Sequence, residues 1–425
     1  MLRLSEEYRR TIREDDSRQA FFATEQVVFD EAVANALDEG RTRDAFELLE
    51  QSKARSLLDF VRSKASIVEV EKSFGPVAQP LTLREIQARL PDQVEVVQYA
   101  VLPKKLAIWI VSKQRFDFVE RDVSATSLDK QIAEYRAAIA SKASTDDVKR
   151  AGQVLYKILI PPDLARDKQL CLVPDKSLHQ LSFATLVSPA GTYLLQDTAL
   201  FYAPSASVLV LETENAQRKE YVRDESLLSV GNPHFDRSEN PNLPDLHDAE
   251  AEATTIAHLY PNSIELLGSE ATREKFLVNL DRFEVIHFAG HFMVNRQSPN
   301  NSKLLFAGGD LRSADLSNEK LTKVKIVILS ACETGFEQYN QSEGAISAAR
   351  TFLALGAPAV VATQWKVDSE ATRNLMIAFH EDRRKKNMSS AESLRQAQLE
   401  VLSRNETSAP FYWGAFALFG GYVTY

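Results

Sequence analysis

Two residues of this chain combine a type and a spacing suited to nucleophilic chemistry, His291 and Cys332. A thiol attacks as the thiolate, and an ordinary pKa of about 8.5 leaves little thiolate at neutral pH. It needs a base or a cation beside it, normally an imidazole. His291 stands 332 − 291 = 41 residues before Cys332, and each lies at the end of an apolar run. The first run is Val285-Ile286-His287-Phe288-Ala289-Gly290-His291. The second starts at Val324 and ends in Ser330-Ala331-Cys332-Glu333-Thr334-Gly335. Both are rich in β-branched and aromatic residues and both break at Gly, the pattern of a buried parallel strand that opens into a loop. Open α/β sheets gather their chemistry just beyond the carboxyl ends of strands. Two neighbouring strands would thus bring an imidazole and a thiol to one edge.

The other candidates are weaker. Cys171 sits between Leu170 and Leu172 and reads as inert packing. His287 lies inside its strand and reads as a core or supporting histidine. Two His four residues apart bind zinc on a helix, but Phe288-Ala289-Gly290 after a β run is strand and turn, so no metal is expected. His179, His234, His247, His258 and His380 lack ligand partners at suitable spacing. There is no Gly-rich phosphate loop followed by Lys-Ser or Lys-Thr and no Gly-x-Ser-x-Gly elbow, which argues against an NTPase and a serine hydrolase. No cofactor is expected.

The elements that must position this pair can be read along the chain. Its 425 residues suggest two or three domains, and 44% hydrophobic content is ample for a core. A formal net charge of −9 argues against a general nucleic-acid binder, and two cysteines exclude a disulfide scaffold. The start of the chain has no signal-peptide core and no run approaches the roughly 18–20 apolar residues of a membrane span, so a cytoplasmic protein is expected. Residues 1–75 form a helical segment. Two amphipathic stripes, broken at Asp38-Glu39-Gly40-Arg41, resemble a tetratricopeptide-type hairpin with room for at most two units. Such a hairpin must pack on the rest of the chain or on a partner; a helical extension with no binding role is the alternative. Residues 76–225 form a first α/β half: strands at 95–101, 106–111 and 170–175, an edge strand at 115–120, helices at 127–140, 146–158 and 212–225. Residues 226–425 form a second, with strands at 227–233 and 263–267, the His strand, a hairpin strand at 304–307, the Cys strand, a small-residue helix at 344–355, a strand at 359–365, and an apolar tail at 411–420 ending in a strand.

Several motifs in order carry a family resemblance. They are Val173-Pro174-Asp175, Leu178-His179, Leu181-Ser182-Phe183, Val230-Gly231-Asn232-Pro233, the His strand and Ser330-Ala331-Cys332-Glu333-Thr334-Gly335. Glu343-Gly344-Ala345, Ala357 through Trp365, and Phe411-Tyr412-Trp413-Gly414-Ala415-Phe416 complete the set. From about residue 80 onward the chain resembles the CHAT domain, a bacterial group of caspase- and separase-like cysteine peptidases often appended to tetratricopeptide repeats. Caspases place their histidine roughly 50 residues before the cysteine, in agreement with the spacing here. The resemblance implies an α/β fold: a caspase-hemoglobinase-like sheet with flanking helices, preceded by a degenerate α/β companion half and the helical segment. It implies His291 as base, Cys332 as nucleophile, and an oxyanion hole from the backbone amides of Phe292 and Cys332. Many relatives have Gly after the histidine; this chain has Phe292. The stretch Trp365-Lys366-Val367-Asp368-Ser369-Glu370 resembles the separase segment lining the specificity pocket. Asp368, with Glu370 in reserve and Trp365 beside them, would pair with an Arg or Lys preceding the scissile bond. The alternative for Asp368 is a cap on the helix that begins near 369–372. The expected protein is a cysteine endopeptidase acting on protein substrates through an acyl-enzyme and regulated by a partner on the helical segment. One or both of the loops at 295–301 and 336–342 are expected to order on activation. A catalytically silent scaffold is the alternative.

Overall fold

The structure is a computed structural model describing residues 15–64, 80–165, 167–219, 224–295, 301–316, 319–331, 338–340, 344–346, 348–386 and 388–424. Two helices come first, α1 (Asp15–Asp38) and α2 (Thr42–Lys64), turning at Gly40 with φ +74°. They form the expected hairpin, and it packs on the same chain. Phe46 of α2 meets the rings of Trp109 and Phe116, and Glu50 is fully buried. A short helix α3 (Leu83–Arg89) follows, opened by a Thr82–Glu85 capping box.

The sheet strands are β1 (Val94–Val101), β2 (Leu106–Ser112), β3 (Arg115–Arg121), β4 (Gln169–Val173), β5 (Leu200–Tyr202), β6 (Ser226–Gly231), β7 (Asn262–Leu267), β8 (Val285–Ala289), β9 (Ile326–Ser330), β10 (Ala359–Thr363) and β11 (Phe416–Gly420). They form one 11-stranded sheet in the order β3-β2-β1-β4-β5-β11-β10-β9-β8-β6-β7. β6 to β10 run parallel to one another; β10 pairs antiparallel with β11, which continues in parallel with β5, β4 and β1. The direction of the sheet therefore reverses at the β10–β11 junction. Every residue of β8, β9 and β10 is buried, as β-branched runs covered on both faces require.

Helices cover the faces: α4 (Ala125–Ala140), α5 (Thr145–Leu159), α6 (Ala206–Arg218), α7 (His247–Ala257), α8 (Arg273–Asn279), α9 (Ala348–Ala354), α10 (Ser369–Lys385) and α11 (Ser390–Ser403). Three expectations need correction. The helix expected at 212–225 is α6, which begins at Ala206 under a Ser205 cap. Residues 206–213 are buried all round, so they show no amphipathic stripe. The helix expected from 344 begins at Ala348, because Gly344–Ile346 pairs as a strand with Gln338–Asn340. The strand read at 304–307 spans only Lys303–Leu304. β5 carried no signal, since three residues show no periodicity.

Candidate active site

The two strands singled out by their chemistry are neighbours. β8 and β9 pair in parallel with Ile328 opposite His287 and Ser330 opposite Ala289, so their carboxyl ends are level. The Gly290 amide donates to the Ser330 carbonyl at 3.3 Å. His291 stands two residues past Ala289, and Cys332 stands, in sequence, two residues past Ser330. Cys332 itself lies outside the described residues, as do 333–337. Just before it, Ala331 is buried and its carbonyl accepts the Thr363 hydroxyl from the end of β10. Three adjacent strands are thus tied together at this edge.

His291 is half-buried. Its Nε2–H donates to the Pro244 carbonyl at 2.9 Å, and its ring stands edge-on to Phe235 with centroids 5.2 Å apart. That bond assigns the proton to Nε2 and leaves the Nδ1 lone pair to act as a base. Burial pushes the imidazole below its ordinary range; the Pro244 carbonyl opposes this, while Lys366 and Arg237 add to it. The neutral, proton-accepting form therefore dominates at pH 7. The loop supplying Pro244 is folded on itself: Arg237 donates to the Leu243 carbonyl, pairs with Asp245 and lies over the Phe235 ring.

Phe292 begins a two-residue strand pairing antiparallel with Lys303–Leu304. The Leu305 amide donates to the His291 carbonyl at 3.1 Å. Bonded and non-bonded pairs alternate in such a ladder, so Phe292–Leu304 is the non-bonded pair. The Phe292 N–H therefore points away from that strand, as an oxyanion donor must. Its side chain is half-buried against the core.

Of the pocket candidates, Asp368 is the N-cap of α10, its Oδ1 accepting the Ala371 amide at 3.1 Å. Glu370 is exposed in the first turn of α10. Trp365 is half-buried and donates from Nε1 to the Phe411 carbonyl at 3.1 Å. All three lie just beyond the carboxyl end of β10, where the helix N-terminus favours negative charge.

His287 is a core residue. Its Nε2 meets Glu252 at 3.0 Å, its Nδ1 meets His380 Nε2 at 3.3 Å, and His380 Nδ1 meets the Tyr260 hydroxyl at 2.8 Å. The Tyr260 oxygen accepts from Arg383, which pairs with Glu225 at 2.6 Å. No cluster of metal-ligating side chains occurs among the described residues. Cys171 is fully buried, and burial raises its thiol well above the ordinary range, as suits inert packing. Sequence reasoning missed Pro244, whose contribution is a backbone carbonyl, and Thr363, whose hydroxyl reads as ordinary strand polarity. It also missed His380, whose partner is far away in sequence.

Comparison with known proteins agrees with this geometry. The profile of the CHAT domain family matches residues 149–421. Tetratricopeptide repeat protein 28 of Homo sapiens is 27% identical over 329 residues, covering 64% of this chain and 13% of that protein. The Mus musculus protein of the same name matches at the same identity and coverage. The chain spans well under two thirds of the length of these relatives. Among solved structures, the Saccharomyces cerevisiae separase–securin complex superposes with a TM-score of 0.62 at 12% identity, over 91% of this chain and 34% of that one. The fold is the caspase-like α/β fold of separase.

Proposed function

Because the chain belongs to the CHAT domain family, we propose that it is a cysteine endopeptidase with His291 as base and Cys332 as nucleophile. The observation that carries this reading is the level pairing of β8 and β9, together with an imidazole held in its base-competent tautomer by the Pro244 carbonyl. In the first step the Cys332 thiol gives its proton to His291 Nδ1, and Sγ bonds to the scissile carbonyl carbon. The carbonyl oxygen becomes an oxyanion, held by the Phe292 and Cys332 amides. The intermediate collapses, the C–N bond breaks, and the imidazolium returns the proton to the departing amine. Water then attacks the thioester, His291 taking its proton, and the acid product leaves with the thiol restored.

Asp368, backed by Glu370 and Trp365, is proposed to select a basic residue before the cut; capping occupies Oδ1 and still leaves a carboxylate at the edge. The helical segment is proposed as the site for a regulatory partner. The loops expected to order on activation, 295–301 and 336–342, fall largely outside the described residues. No helix among the described residues is long and apolar enough to cross a membrane; a cytoplasmic location is part of the proposal.

The test is cleavage of a mixed peptide library by wild type and Cys332→Ala. Cutting by wild type alone is the expected result. If neither cuts, alkylation of Cys332 against pH decides. A thiol reactive near pH 6–7 marks an enzyme lacking its activator, and one reactive only near 8–9 marks a silent scaffold.

A further inference from the structure

The sequence Gly231-Asn232-Pro233, which closes β6, has no part in the chemistry above, yet it lies beneath His291. Asn232 takes the left-handed conformation, φ +47°, which Asn adopts more readily than most residues. The residue is only 4% exposed. Its backbone N–H donates to the carbonyl of Ala289 at 2.9 Å, the last residue of the strand that carries His291. Its Oδ1 accepts the Leu246 amide at 2.9 Å, and its Nδ2 donates to Glu250 at 3.3 Å. Leu246 is the N-cap of α7 and has no capping side chain of its own. Asn232 therefore supplies from a distant strand the acceptor for the N-cap amide that a Glu or Gln at the third helical position, here Ala249, would supply in a capping box.

These bonds close a ring. From His291 it runs to the Pro244 carbonyl, along two residues of backbone to Leu246, across to Asn232, and through Ala289 and Gly290 back to His291. The flanking residues fit the same purpose. A Cβ on Gly231 would lie 2.7 Å from Ala253, so only glycine lets α7 come this close. A Cβ on Gly290 would lie 3.1 Å from Pro233.

We propose that Asn232 is a positioning residue for the catalytic base. It holds the Pro244 carbonyl and the end of β8 in one frame, so that the imidazole keeps its proton on Nε2 and its lone pair on Nδ1. This rests on the peptidase reading for its catalytic consequence, though not for its structural content. The test uses the full chain and Asn232→Gly, which keeps the left-handed backbone and removes only the side-chain bonds. Circular dichroism verifies folding. In wild type the bonded Nε2–H of His291, assigned by its disappearance in His291→Gln, gives a proton resonance protected from solvent exchange. In Asn232→Gly that resonance is expected to be lost, Cys332 alkylation at pH 7 to slow about tenfold, and kcat to fall with KM within twofold. Asn232→Asp keeps the acceptor for Leu246 and is expected to retain the resonance.

A protected resonance in folded Asn232→Gly would overturn the proposal. If Asn232→Gly does not fold, loss of the resonance in folded Asn232→Asp would overturn it instead. A wild type with neither cleavage nor a low-pH thiol would defeat the peptidase reading, while the resonance would still decide the role of Asn232.

Discussion

A base works only while it is unprotonated, so the charges around His291 set the acid limb of any activity it supports. Burial is the largest influence lowering its pKa, and the exposed Lys366 adds to it. Replacing Lys366 by Glu favours the imidazolium and raises the pKa. The acid limb of kcat/KM, or of Cys332 alkylation, should therefore move to higher pH, with activity at pH 8 nearly unchanged. A limb that stays in place would mean that Lys366 does not act on His291. Asp368 allows a similar separation. Asn caps a helix about as well as Asp, so Asp368→Asn should keep the wild-type melting temperature while losing preference for Arg before the cut. Asp368→Ala should lose that preference and about 1 kcal/mol of stability besides. Unchanged cleavage after Arg in Asp368→Asn would leave Asp368 as a cap alone. At this scale the sequence was legible for the position of His291, because a polar residue closing an apolar run marks a strand end. It was silent on the Pro244 carbonyl, because every residue carries a carbonyl and only the fold selects one.

Elements were legible where their burial was one-sided or their apolar runs long. The strands carrying His291 and Cys332 lie close to where β-branched runs ended, and the helical hairpin turns at Gly40 as its broken stripe implied. α6 was misplaced because it is enclosed by other elements, and the pattern sought needs a wet face. One of those elements is α2, whose Glu50 accepts the Ala206 and Ser207 amides and the Ser207 hydroxyl. This carboxylate joins the helical hairpin to the first turn of α6. Glu50→Ala strands buried donors and should cost about 3 kcal/mol, read by urea denaturation. A cost below about 0.5 kcal/mol would show that the hairpin does not depend on it.

The contact between α7, β8 and α10 carries a further test. Arg383 donates to Tyr260, and hydrogen bonds continue from Tyr260 to His380, from His380 to His287 and from His287 to Glu252. Burial, then His287 and the Arg383 and Arg384 cations, push His380 well below the ordinary range. The unfolded chain thus binds a proton that the folded chain refuses below about pH 6.5. Stability should be full above that pH and fall as pH drops below it, with His380 contributing up to about 1.4 kcal/mol per pH unit. His380→Gln should show a shallower decline by one proton. Equal slopes for the two proteins would contradict this.

At the scale of the whole molecule, the expected halves at 76–225 and 226–425 share a sheet, and β11 near the end of the chain is the strand that joins them. It pairs with β10 along its length and reaches β5 through Phe419 opposite Tyr202, whose rings lie 5.5 Å apart. The joint is reinforced from α6. Lys219 donates to the carbonyls of Leu321, Val324 and Gly356, and the Tyr422 amide donates to the Thr213 hydroxyl. Gly421 lies close against α6, where a Cβ would stand 2.5 Å from Thr213 N and 2.6 Å from the Glu212 carbonyl carbon. Gly421→Ala must therefore lift the end of the chain off α6, at about 1–3 kcal/mol. If the sheet is one cooperative unit, hydrogen exchange should quicken by the same factor in β1 and β4 as in β8 and β9, with a single unfolding transition. Faster exchange confined to one side of β11, or two separate transitions, would mean that the halves fold independently and meet only as docked domains.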